Sequence, residues 1–66
     1  MRITVNGEIF NTSKDGTITD LLSELQVNPA RVAVEVNLTI IKKSEYQMHR
    51  LCDGDKVEIV NFVGGG

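Results

Sequence analysis

The chain of 66 residues has one cysteine, one histidine, one proline and no tryptophan, and aromatic residues make up only 5% of it. A single cysteine rules out an internal disulfide, so stability has to come from packing. His49 and Cys52 stand three residues apart and together supply only two of the roughly four ligands that a zinc site needs. A nucleophilic thiol would require a neighbouring base and a pocket, and neither is legible. A lone cysteine is more often a small buried hydrophobe, and a lone histidine an ordinary surface polar residue. No catalytic residue, bound cofactor or metal ligand is therefore expected in this chain. No apolar run approaches the length needed to cross a bilayer. The opening "MRITVNGE" turns polar at once, so no signal-peptide core is expected and the domain is read as cytoplasmic, away from membranes. Net charge is −2, with no basic stripe of the kind nucleic-acid binders carry.

What is present is aliphatic and patterned. Sixty-six residues make one domain, and a chain of this size buries roughly 60% of its unfolded surface, leaving little core for a deep pocket. "RITV" alternates Ile3 and Val5 against Arg2 and Thr4, predicting a strand with one buried face. Asn6–Gly7 is a strong hairpin signal, because a type I′ turn needs positive φ at both central positions. "EIFNT" is the return strand; Ile9 and Phe10 point to opposite faces, and the pattern does not choose between them. "SKDG" reads as a turn. Thr17 and Asp20 then form a capping-box-like start to a helix whose stripe is Ile18, Leu21, Leu22 and Leu25. Asn28–Pro29 is expected to end it, since a residue before proline avoids the helical region.

Val32, Val34 and Val36 fall on one face of the next strand. "TIIKK" is a short strand, "SEYQMHRL" a helical turn or a loop crossing back, "DGD" a turn and "KVEIVNFV" the last strand. The helical stripe has to bury itself against one face of the resulting sheet, which gives an α+β domain. In the last strand, Val57 and Ile59 suit the core, because the opposite choice would bury Glu58 without a partner. Val60 and Phe62 then lie on the outer face, and an exposed apolar pair on a small domain reads as a partner surface. The competing reading is that the "SEYQMHRL" crossing covers them or that the strand twists them inward.

The order of elements, the "DGD" turn before the last strand and the terminal glycines after "NFV" resemble the ubiquitin-like β-grasp fold. More narrowly they resemble the ThiS family, the sulfur carriers of thiamin thiazole biosynthesis. The resemblance spans the whole chain. It implies a mixed sheet of four to five strands with one main helix across it, a single domain over residues 1–63, and a flexible tail, Gly64, Gly65 and Gly66. It further implies that the Gly66 carboxylate is the sulfur-carrying end. A ubiquitin-activating-like adenylyltransferase, using ATP and magnesium, would convert it to an acyl-adenylate. A cysteine desulfurase-derived persulfide would then supply sulfur, and the resulting thiocarboxylate would serve thiazole synthase. Val60, Phe62 and Val63 would form the partner surface at the root of the tail. The rival expectations are a molybdopterin-synthase small-subunit-like carrier, a ubiquitin-like protein modifier, and an interaction domain without sulfur chemistry.

Overall fold

The computed structural model describes residues 1–13 and 16–62, so Lys14 and Asp15 of the "SKDG" turn and all of Val63–Gly66 lie outside the described residues. Five strands and one helix follow the expected order: β1 (Arg2–Val5), β2 (Glu8–Asn11), α1 (Ile18–Glu24), β3 (Val32–Val36), β4 (Thr39–Ile41) and β5 (Lys56–Asn61). Short 3₁₀ turns occupy Pro29–Arg31 and Lys43–Glu45.

The strands form one mixed sheet in the order β2-β1-β5-β3-β4. The first and last strands of the chain lie side by side and parallel at its centre, and every other pairing is antiparallel. This is the β-grasp arrangement.

Alternation along each strand settles which side is core. Ile3, Val32, Val34, Val36, Ile41 and Val57 are buried on one face together with Ile18, Leu21 and Leu22 of α1. Ile59 and Phe10 pack at the edge of this cluster, whereas Ile9 points outward and is exposed. The pairing of Ile3 with Phe10 explains the choice: opposed residues of an antiparallel pair share a face, so Phe10 follows Ile3 inward.

The local signals at β1–β2 and at the start of α1 act as their chemistry dictates. Asn6 and Gly7 both adopt positive φ, at 51° and 85°. The Thr17 hydroxyl accepts from the Asp20 amide at 3.3 Å, and the Asp20 carboxylate accepts from the Thr17 amide at 3.0 Å, completing the capping box. The "SEYQMHRL" stretch wraps over this end. The amides of Thr19 and Ile18 donate to the carbonyls of Tyr46 and His49, both at 3.1 Å, so amides that a helix start leaves free find partners. Tyr46 and Leu51 of this stretch insert into the core.

The far end of α1 departs from expectation. The helix stops at Glu24 rather than at Asn28–Pro29. Gln26 turns left-handed, with φ of 60°. Val27 N–H donates to the Leu22 carbonyl at 2.8 Å and Gln26 N–H to that of Ser23 at 3.1 Å. This is a Schellman closure made with glutamine where glycine is usual. Asn28 instead caps the following 3₁₀ turn, its side-chain oxygen accepting from the Ala30 amide at 2.9 Å.

Candidate functional site

Everything expected of this protein's chemistry depends on where β5 ends, and three sets of contacts fix that strand. At its start, Asn37 behaves as a short extra strand: its side-chain oxygen accepts from the Lys56 amide at 2.9 Å, and its own amide donates to the Lys56 carbonyl at 2.8 Å. Midway, the Asn6 carboxamide pairs with Ile59 in both directions, accepting from its amide at 2.8 Å and donating to its carbonyl at 3.2 Å. Beyond the end of β1, this side chain supplies the donor and acceptor that a neighbouring strand would have supplied. At its finish, Asn61 stands opposite Val32, and the Phe62 amide donates to the Arg31 carbonyl at 2.8 Å. The chain is thus held in register up to the last residue before Val63.

The side chains at this end divide as the alternation predicts. Val57 is buried and Ile59 half-buried, whereas Glu58 is exposed. Val60 is 59% and Phe62 50% exposed on the opposite face. The "SEYQMHRL" crossing does not cover them, because its large residues Tyr46 and Leu51 are spent on the core. The Lys43 ammonium lies 4.5 Å from the Phe62 ring centroid. A cation at this distance is attracted to the ring face, and the ring remains half exposed. Nothing in the sequence pattern pointed to Lys43, because it reaches Phe62 from the 3₁₀ turn that follows β4. Val63, Gly64, Gly65 and Gly66, the remaining residues expected to matter, lie outside the described residues.

The two residues considered for independent chemistry are separated from this end. Cys52, expected as a buried hydrophobe, is exposed and free. The reason is local: Cys52 opens the turn into β5. Its amide donates to the Asp55 carboxylate at 2.8 Å and its carbonyl accepts from the Asp55 amide at 3.0 Å. The next residue, Asp53, accepts from the Arg2 amide at 2.7 Å. The backbone is tied down while the thiol faces water. His49 is half-buried and contributes through its backbone, donating to the Glu45 carbonyl at 2.8 Å and capping α1. Among the described residues, no group of three or more His, Cys, Asp or Glu side chains is placed to hold a metal ion. Burial pushes the Tyr46 hydroxyl above its ordinary value of 10; it donates to the Val32 carbonyl at 3.4 Å and belongs to the core.

Comparison with known proteins gives a consistent result. The model of the ThiS family matches residues 3–66. The chain is 49% identical over 63 residues to the sulfur carrier protein ThiS of Bacillus subtilis, covering 94% of this chain and 96% of that one. It is 50% identical over all 66 residues to a thiazole synthase of Paramagnetospirillum magneticum, but spans only 20% of that protein's length. Among solved structures, the crystal structure of a thiamine biosynthesis protein (ThiS) from Geobacter metallireducens superposes with a TM-score of 0.86 at 35% identity, each chain covered in full.

Proposed function

The chain belongs to the ThiS family, and from that membership we propose that it carries sulfur for the thiamin thiazole on a thiocarboxylate formed at Gly66. It is a small sulfur carrier protein and not itself an enzyme. The observation that carries the reading is the continuity of the family match through the glycines, joined to a β5 strand that is pinned up to Phe62.

The chemistry needs two activations. A carboxylate is a poor electrophile. Attack of a Gly66 carboxylate oxygen on the α-phosphorus of ATP expels pyrophosphate and leaves an acyl-adenylate with AMP as leaving group. The activating enzyme holds the ATP and magnesium for this step. A persulfide sulfur, derived from a cysteine desulfurase, then attacks the acyl carbon and AMP departs. A second thiol cleaves the S–S bond of the acyl persulfide, releasing the thiocarboxylate and becoming part of a disulfide. Thiocarboxylate sulfur is a good nucleophile at neutral pH, suited to delivery to a thiazole synthase.

This chain contributes a substrate, not a catalyst. Without a Cβ, glycine backbone can pass through a narrow channel and approach a phosphate closely. Residues 64–66 can reach at most roughly 10 Å when extended, so the domain docks outside while its end reacts inside. Val60 and Phe62, with Val63, form the surface that a partner grips to aim that end.

Intact mass spectrometry tests the proposal. The chain is incubated with an activating enzyme, ATP and a sulfur source, and the C-terminal peptide is then sequenced. The expected product is heavier by the exchange of one oxygen for one sulfur, at Gly66 and only with ATP. Isopeptide-linked species would indicate a protein modifier, and delivery of labelled sulfur to a pterin dithiolene would indicate the molybdopterin branch. No change in mass would leave an interaction domain.

A further inference from the structure

β5 outruns one of its two neighbours. β1 pairs with it only at Thr4–Lys56 and Val5–Val57, whereas β3 follows it from Val57 to Asn61. An antiparallel neighbour engages the amide and carbonyl of alternate residues only. The Phe62 amide donates to Arg31 and so faces the β3 side, which leaves Val57, Ile59 and Asn61 facing the side from which β1 turns away. On that side the Val57 carbonyl accepts from the Asn6 amide at 2.9 Å. Next along the edge comes a side chain. The Asn6 carboxamide takes the Ile59 N–H at 2.8 Å and donates to the Ile59 carbonyl at 3.2 Å.

The hairpin does not itself require a carboxamide here. Asn6 holds φ at 51°, a conformation that glycine meets at no steric cost. Asparagine tolerates it too and adds both a donor and an acceptor, whereas an ionised aspartate offers acceptors alone. The same device recurs at Asn37, also with φ of 51°. Its carboxamide accepts from the Lys56 amide at 2.9 Å and donates to the Asp55 carboxylate at 3.0 Å. Asn37 therefore anchors the start of β5, and Asn6 anchors the half that leads to Gly66.

Resting on the carrier function proposed above, we propose that Asn6 is a positioning residue for the chemistry at Gly66. Its carboxamide stands in for the missing strand and keeps the second half of β5 on the sheet. It thereby fixes the point from which the chain departs toward Gly66. In the docked complex that point sets how the carboxylate meets the α-phosphorus, and small misplacements of a reacting group are costly.

The test compares Asn6→Gly with Asn37→Gly in ATP–pyrophosphate exchange by the activating enzyme of the same organism, over a range of carrier concentrations. Glycine keeps the turn in both variants, and each loses two side-chain hydrogen bonds, so both should melt about 4–8 °C below the parent. A smaller folded fraction by itself raises the apparent KM for the carrier and leaves kcat unchanged. Asn6→Gly should instead lower kcat about tenfold or more, while Asn37→Gly stays within about twofold of the parent. Hydrogen exchange in the free chain should quicken at the Ile59 and Phe62 amides in Asn6→Gly, and at the Lys56 amide in Asn37→Gly. Equal kcat in all three chains overturns the proposal, as does an equal fall in both variants. Unaltered exchange at Ile59 in Asn6→Gly overturns it as well. Each of these leaves the carrier function standing, because the parent still forms its adenylate. A parent chain that supports no ATP-dependent exchange refutes the carrier function and the proposal together.

Discussion

Replacing Leu22 with alanine tests whether the folded body is independent of the chemistry proposed for Gly66. Leu22 is 0% exposed and belongs to the core cluster with Ile18 of α1 and Val32, Val34 and Val36 of β3. Its carbonyl also closes the helix by accepting from Val27, a bond that alanine keeps, so the change isolates packing. Truncating a buried leucine costs about 2–5 kcal/mol, the spread depending on how far the site collapses. At about 0.05–0.15 kcal/mol per residue, a domain of this length has roughly 3–10 kcal/mol in total. The substitution therefore removes a large fraction of the stability, and melting temperature should fall by roughly 8–40 °C. Urea unfolding followed by far-ultraviolet circular dichroism is the assay, with Leu22→Met as the volume-conserving control expected to cost less than about 1.5 kcal/mol. The midpoint should drop without a change in m-value, because the exposed surface on unfolding is nearly the same. Sulfur loading per folded molecule should be unaffected. A loss below about 1 kcal/mol would refute the placement of Leu22 at the centre of the core. A loss of loading in protein shown to be folded would refute the independence of body and tail.

Phe62→Ala should cost the domain about 1–2 kcal/mol, from a half-buried ring and its lysine contact, and cost partner binding about 2 kcal/mol or more if Phe62 is an interface anchor; calorimetry with the activating enzyme or the synthase checks it, and unfolding would return Phe62 to the core. Deleting Gly65 and Gly66 should abolish ATP-dependent loading in protein whose melting curve matches the parent's, measured as pyrophosphate exchange with the activating enzyme. Cys52→Ser should load and transfer sulfur as the parent does, since the exposed thiol is remote in role from the carboxylate; failure in a folded variant would point to a persulfide on Cys52. The sole tyrosine gives a clean alkaline signature: the folded Tyr46 hydroxyl holds its proton above the ordinary value of 10, so the unfolded chain deprotonates first. Stability from this group is present below pH 10 and is lost as pH rises past it. Stability curves of the parent should therefore fall more steeply there than those of Tyr46→Phe, and tyrosinate absorbance should appear together with unfolding.

Much of the fold was legible because its signals are local. Asn6–Gly7 and the Thr17–Asp20 box owe their conformations to residues within one turn, and Val32, Val34 and Val36 alternate strictly, so period and partner agree. The signals that misled were those in which a neighbour overrode local preference. Gln26 and Leu38 adopt positive φ, at 60° and 71°, without being glycine. At Gln26 the Schellman bonds and the burial of Leu22 outweigh the steric cost. At Leu38 the pairing of β3 with β4 imposes the turn, and no glycine signal marks it. Cys52 looked like a core residue by type and became a surface one because Asp55 and Asp53 shape the turn around it.

By itself, the sequence determined the order of elements and the inward face of β3 and β5, and it carries the terminal glycines on which the proposed chemistry rests. Periodicity and residue type suffice for these, since each depends on the chain near itself. Tertiary structure alone decided which residues from distant segments share a surface. Lys43 lies 19 positions from Phe62 yet sits over its ring. Glu35 meets Glu58 only because β5 returns to the centre of the sheet beside β3. The register that brings them together is set by hydrogen bonds between strands, and those depend on the partner strand as much as on the residues themselves.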